Sequence, residues 1–302
     1  MHLKHPGYAL LTMLCAMALL AATPASARHH RQRQAAATDQ PQIRSNAVLV
    51  VDESSSAVLL ARQADVVTPI ASITKLMTAL VVLDAHQPLD ELLQITDADH
   101  EHGRGAFSRL AVGTWLSRGD LLHVALMSSE NRAAHALGRN YPGGLPAFVA
   151  AMNARARVLG MSHARFVDPT GLSSDNVASP ADLAKLVVAA SREPAIQQFS
   201  TDQLHSVRVG RRQLEFRNTD LLVRNPAWNI VVQKTGYITE AGKCLVMKAL
   251  IRGRAVVIVL LDSYGKYTRV ADAQRIRKWL ESRAQFPGVP GPVAGSLRPI
   301  SP

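Results

Sequence analysis

Three short stretches of this 302-residue chain place polar side chains at spacings that could do chemistry. In Ser72-Ile73-Thr74-Lys75 a serine precedes a lysine by three residues, at the start of a long apolar run. If that run is helical, the two side chains share a face one turn apart and the lysine amine reaches the serine hydroxyl. Such a pair is a serine nucleophile with a lysine as its base. The second stretch is Ser129-Glu130-Asn131, and the third is Lys234-Thr235-Gly236. Two of them have twins, at Ser263/Lys266 and at Ser174/Asn176. A chain of this size holds roughly one Ser-x-x-Lys by chance, so the elements that carry each stretch must decide.

Residues 72–85 read as a buried helix, because Ile73, Leu76, Met77, Leu80, Val81 and Leu83 leave little polar surface. A lysine buried there must find a partner or lose its charge. Ser263-Tyr264-Gly265-Lys266 instead follows a strand and contains glycine, which predicts a turn with no helix to hold the pair on one face. Ser174-Asp175-Asn176 lies in the Gly/Ser/Pro-rich stretch 171–180, where these residues serve as turn formers. Ser129-Glu130-Asn131 links two predicted helices, 121–127 capped by Asp120 and 131–139, which makes a rigid mount. Further helices are predicted at 145–160, stopped by Gly160, and from Ser179-Pro180 to 190. Strands are expected at 47–51 and 57–61 as a hairpin, then at 204–209, 230–235, 243–251 and 255–261. An amphipathic helix over 268–284 follows, its Val270, Ile276, Trp279 and Leu280 set to pack on the sheet. Strands at both ends flank a helical middle. The fold class is therefore α+β: one domain over 47–284, with a mostly helical insertion over about 86–200.

Residues 1–27 read as a cleaved secretory signal peptide, with Lys4, an apolar stretch and Ala25-Ser26-Ala27 as the cleavage site. The apolar stretch is shorter than the roughly 20 residues a spanning helix needs. Cleavage removes Cys15 and leaves Cys244 alone, so the exported fold must stand without an intrachain disulfide. Cys244 sits in an apolar strand-like run and is expected to be buried and inert. Residues 28–46 form a basic leader without apolar periodicity, and 285–302 a Pro/Gly-rich tail. The net charge of +11, lowered by one when Lys4 is removed, suits polyanionic surroundings. Export, and the lack of a zinc-finger or RNA-binding pattern, argue against nucleic acid and leave peripheral contact with a membrane or anionic wall polymer. His29, His30, His100 and His102 lie in polar stretches without metal-ligand spacing, so no metal site is expected.

In order, on a helix, an inter-helix link and a strand, the three motifs resemble those of the serine penicillin-recognising enzymes. The resemblance is strongest to the low-molecular-mass D-alanyl-D-alanine peptidases. It is carried by PIASITKLMTALVVLDAHQPLDE, LMSSENRAAHALGRNYPGG, AMNARARVLGMSHARFVDPTGLS, FRNT, WNIVVQKTGYITEAGKCLVM and the Asp-x-x-Gly-Lys-Tyr-Thr that starts at Asp262, and spans about 48–280. It implies a serine β-lactamase/DD-peptidase-like fold, with an antiparallel sheet flanked by helices, and no cofactor. It also implies roles. Ser72 forms an acyl-enzyme, Lys75 is its base if burial and the charge of Lys234 favour a neutral amine, and Ser129 passes a proton to the leaving amine. Asn131 orients substrate or Lys75, Lys234 and Thr235 meet a substrate carboxylate, and Gly236 lets the strand approach the ligand. The backbone N–H groups of Ser72 and Tyr237 would form the oxyanion hole. The implied substrates are peptidoglycan peptide stems in the periplasm, with β-lactam antibiotics as covalent inhibitors.

Two departures sharpen the expectation. Tyr237 follows Lys-Thr-Gly where many DD-carboxypeptidases have histidine, and no extra C-terminal β-domain or anchor is evident. Both lean toward a DD-endopeptidase cutting D-alanyl-meso-diaminopimelyl cross-links, with DD-carboxypeptidase as the alternative. No Glu-x-x-Leu-Asn run follows Ser129, so penicillin is expected to leave a long-lived adduct.

Overall fold

The computed structural model describes residues 40–99 and 108–283. The signal peptide, most of the leader, the tail, and His29, His30, His100 and His102 lie outside them. The chain runs β1 (Ala47–Asp52), β2 (Ala57–Arg62), β3 (Thr68–Pro69), α1 (Thr74–Asp84), β4 (Leu92–Gln94), β5 (Trp115–Ser117), α2 (Arg118–Met127), α3 (Asn131–Arg139) and α4 (Gly144–Val158). It continues through β6 (Val177–Ala178), α5 (Pro180–Ala190), α6 (Pro194–Thr201), β7 (Leu204–Val209), β8 (Arg212–Arg217), β9 (Asn229–Ile238), β10 (Gly242–Ile251), β11 (Arg254–Ser263) and α7 (Thr268–Ser282).

The main sheet is antiparallel, in the order β2-β1-β11-β10-β9. Both of its faces are covered, which is why its central strand reads as an unbroken apolar run rather than an alternation. Val257, Val259 and Leu261 of β11 join the core formed with α1 to α5, while Val256, Ile258 and Leu260 pack with Ile276, Trp279 and Leu280 of α7. Helix α1 is buried almost all round, as a helix through the centre of a domain must be. Strand β9 lies at the sheet edge, and Lys-Thr-Gly falls within it.

Several boundaries differ from the sequence expectation. Helix α2 starts at Arg118 with Ser117 as its cap: the Ser117 hydroxyl accepts from Asp120 N–H and donates to Asp120 Oδ2. Asp120 is thus the reciprocal partner at the third position, not the cap. The folded domain begins before Ala47. Ser45 is fully buried, and its N–H and hydroxyl both donate to Asp272 Oδ2 of α7 at 2.7 Å. The Ser263 hydroxyl is spent on Ser45, at 2.6 Å, and Lys266 lies over the Tyr267 ring, so this Ser-x-x-Lys twin is structural.

Candidate active site

Ser72 sits on a 3₁₀ turn, Ala71–Ile73, that feeds directly into α1. Two glycines make room for that turn. A side chain on Gly171, at φ +81, would fall 2.0 Å from the Ala71 carbonyl oxygen. One on Gly236 would meet Ile70 O at 3.0 Å and Ser72 N at 3.2 Å. Gly236 therefore brings β9 against the backbone of the serine itself. Ala71 takes φ 48 and Ser129 φ 63, conformations that L-residues avoid and that cluster where geometry is imposed for function.

Lys75 is 1% exposed. Its Nζ donates to Ser72 Oγ at 3.0 Å, Asn131 Oδ1 at 2.8 Å and the Thr170 carbonyl at 2.6 Å. The loop that presents Thr170 is held by Asp168, whose carboxylate accepts from the N–H groups of Thr170 and Gly171 and from Asn176 Nδ2. Asn176, half of the second Ser-x-Asn, is thereby a buried loop brace.

Ser129 lies between α2 and α3 and accepts a hydrogen bond from Lys234 Nζ at 2.9 Å. Lys234 also donates to the Thr235 carbonyl at 2.7 Å and has no solvent exposure. Burial, followed by the charges of Lys75 and Arg269, holds its proton affinity well below the ordinary lysine range, and Asp220 opposes this only in part. Thr235 Oγ1 pairs with Thr219 Oγ1 at 2.6 Å, and Thr219 N–H donates to Met127 O, tying β9 to the end of α2. Tyr237 closes the set on the sheet edge, its ring 58% exposed with Lys243 Nζ 4.1 Å from its centre.

The motif residues thus meet in one place: Ser72, Lys75 and Asn131 in one hydrogen-bonded group, Ser129 and Lys234 in a second beside it, and Gly236 against Ser72. Sequence reasoning missed Thr170, Thr219, Asp220 and Arg269. Thr219 left a trace inside the FRNT stretch, and Thr170 lies in AMNARARVLGMSHARFVDPTGLS, a further stretch shared with the D-alanyl-D-alanine peptidases. Cys244 is fully buried, and burial pushes its thiol up to about 11, consistent with an inert side chain. Among the described residues no group of three or more His, Cys, Asp or Glu side chains could hold a metal, and no helix is long and apolar enough to cross a membrane.

A serine bonded to a buried lysine beside the edge strand of a sheet defines a class of serine acyl-transfer enzymes, and the whole fold agrees. The DD-transpeptidase of Streptomyces K15 superposes with a TM-score of 0.74 at 26% identity, covering 80% of this chain and 98% of that one. Residues 34–265 match the peptidase S11 family, D-alanyl-D-alanine carboxypeptidase. A D-alanyl-D-alanine endopeptidase of Pseudomonas aeruginosa is 51% identical over 80% of this chain and 79% of its own length. One of Escherichia coli is 45% identical over 91% and 89%. The chain belongs to the peptidase S11 family and is a serine-type D-Ala-D-Ala peptidase.

Proposed function

We propose that this protein is a periplasmic serine DD-endopeptidase that hydrolyses D-alanyl-meso-diaminopimelyl cross-links in peptidoglycan through a Ser72 acyl-enzyme. The observation that carries the reading is the position of Lys75, bonded at once to Ser72, Asn131 and Thr170. A neutral lysine has two N–H groups and one lone pair. With the N–H groups given to Asn131 and Thr170, the lone pair faces the Ser72 hydroxyl and takes its proton.

The acyl stem lies along the β9 edge as an added strand, with Gly236 and Tyr237 alongside it. Ser72 Oγ attacks the D-Ala carbonyl, and the N–H groups of Ser72 and Tyr237 receive the oxyanion; each such donor contributes about 2.7–4 kcal/mol. The C–N bond then breaks, and Ser129 gives its proton to the leaving amine. The proton that Lys75 took from Ser72 then passes to Ser129, so Lys75 is neutral again, while Lys234 donates to Ser129 Oγ and holds it toward the amine. Thr235 and Lys234 meet the carboxylate beside that amine. Water enters, Lys75 takes its proton, and hydroxide releases the stem from Ser72 as a free carboxylate. A β-lactam follows the first half of this path and stays on Ser72.

The endopeptidase names of the P. aeruginosa and E. coli relatives and the tyrosine after Lys-Thr-Gly support cross-link cleavage over terminal trimming. Digestion of purified sacculi followed by muropeptide chromatography tests it. Cross-linked dimers should become monomers, whereas loss of terminal D-Ala with dimers intact would make the protein a carboxypeptidase. Export is tested separately by the N-terminus of the protein recovered from the periplasm, expected at Arg28.

A further inference from the structure

A cleft of about 490 Å³ adjoins Ser129, within the roughly 300–1,000 Å³ of sites that bury small ligands. Its far walls are β8, with Glu215, Phe216 and Arg217, and the segment carrying Arg109. The Arg109 guanidinium lies 5.0 Å from the centre of the Phe216 ring and donates to the Glu215 carbonyl, so it clips that segment to the hairpin. Arg217 pairs with Glu215 at 2.5 Å. Glu130, on the cleft floor, has its carboxylate committed to the N–H groups of Ala133 and Arg109. Arg109 and Arg217 are each held on Glu215, but both are exposed, Arg217 at 63%, so their guanidinium groups keep N–H groups that face the cleft.

The hairpin is firmly mounted. Asn218 N–H donates to Gln203 O at its base, and His205 on β7 lies 2.8 Å from Asp120 Oδ1 and stacks on His123 of α2, with ring centres 3.9 Å apart.

The cleft begins where Ser129 stands, which in the proposed reaction is where the leaving amine departs. When a terminal D-Ala is released, the leaving group ends at the carboxylate facing Lys234 and Thr235 and needs no room beyond it. When a cross-link is cut, the amine belongs to the side chain of a second stem peptide, which must continue past Ser129. From this continuity and charge we infer that the cleft is the subsite for the departing stem, with Arg109 and Arg217 as specificity-determining residues that read a carboxylate of that stem other than the one beside the amine. The inference rests on the endopeptidase reading and specifies how that reading is achieved.

Kinetics on the full mature chain test it, with a purified cross-linked peptide dimer as substrate and the rate of fluorescent-penicillin acylation as the measure of Ser72 and its partners. Arg217→Glu and Arg109→Ala should each lower kcat/KM for the dimer roughly tenfold, mainly through KM, while acylation stays within about twofold. Arg217→Lys, which keeps the charge, should recover most of the loss. Dimer cleavage unchanged in both variants, or falling in step with acylation, would overturn the subsite. Failure of the wild-type chain to cut the dimer would instead sink the endopeptidase reading, a result visible before any variant is made.

Discussion

Asp99 and Asp220 are both buried, 0% and 1% exposed, yet their surroundings treat a carboxylate in opposite ways. Asp99 is saturated. His135 Nδ1 and Arg139 Nε lie 2.8 and 2.9 Å from Oδ1, and Arg139 Nη2 and Thr96 N–H lie 2.8 Å from Oδ2. Burial alone would raise its proton affinity, but the His135 and Arg139 contacts win and hold it well below the usual carboxylate range. Asp220 accepts from Leu222 N–H at 3.0 Å, while its Oδ2 has no hydrogen-bond partner among the described residues. Burial pushes it from 3.8 up to about 6, and Arg269 and Lys234 offset that only in part. One cluster braces α3 against the segment after β4; the other leaves unsettled charge behind Lys234. Backbone strain at Ala71 and Ser129 falls in the same neighbourhood. Asp99 is a buried charge with its partners in place, and Asp220 is one left underpaired beside the site.

Variants at both places can break this contrast. The largest effect belongs to the group around Ser72: Lys75→Met should slow penicillin acylation by roughly 10³-fold without lowering the urea midpoint, because an apolar chain replaces a buried amine. A stability loss with acylation intact would reverse the assignment. At the brace, Asp99→Asn should cost roughly 3 kcal/mol in urea unfolding and leave acylation within about twofold. Because the folded Asp99 carboxyl is held low, its contribution is fully present above the unfolded value near 4 and disappears as pH falls below it. The wild type's advantage over Asp99→Asn should therefore shrink in acid.

Asp220→Asn should show the opposite sign. A raised carboxyl favours the fold below its unfolded value, and that stability is lost as pH rises through about 6. The variant should be more stable than wild type by roughly 2 kcal/mol at pH 8, with the difference fading toward pH 4. Equal urea midpoints at both pH values would erase the distinction between the two aspartates. The smallest effect is remote from both. Ser117→Ala removes the cap of α2 and should cost about 1 kcal/mol, read as a modest fall in Tm.

The legible part of this molecule was the part written in side-chain identity at fixed spacing. Ser72, Lys75, Ser129, Asn131 and Lys234 announce themselves by type, and helix periodicity or turn composition removed their twins at Ser263 and Ser174. The five main-sheet strands were legible as apolar runs. Thr170 acts through a backbone carbonyl, which any residue would supply, so its stretch could be matched to the family but its contact with Lys75 could not be read from its side chain. Asp220 and Arg269 reach Lys234 only through tertiary packing, from segments 14 and 35 residues away in sequence. Strand β8 was missed because Leu214 and Phe216 are its only apolar residues, too few to outweigh Arg212, Gln213, Glu215 and Arg217. Ser45 was assigned to the leader because its partner Asp272 lies at the other end of the chain.

The central claim is that Ser72 is the nucleophile, and one measurement reaches it without a substrate assumption. The mature chain is incubated with fluorescent penicillin, digested, and the labelled peptide identified by mass spectrometry. A single covalent adduct on the peptide containing Ser72, absent from Ser72→Ala, is the predicted result. Label on another residue, label that survives Ser72→Ala, or no covalent label on the wild-type chain would contradict it.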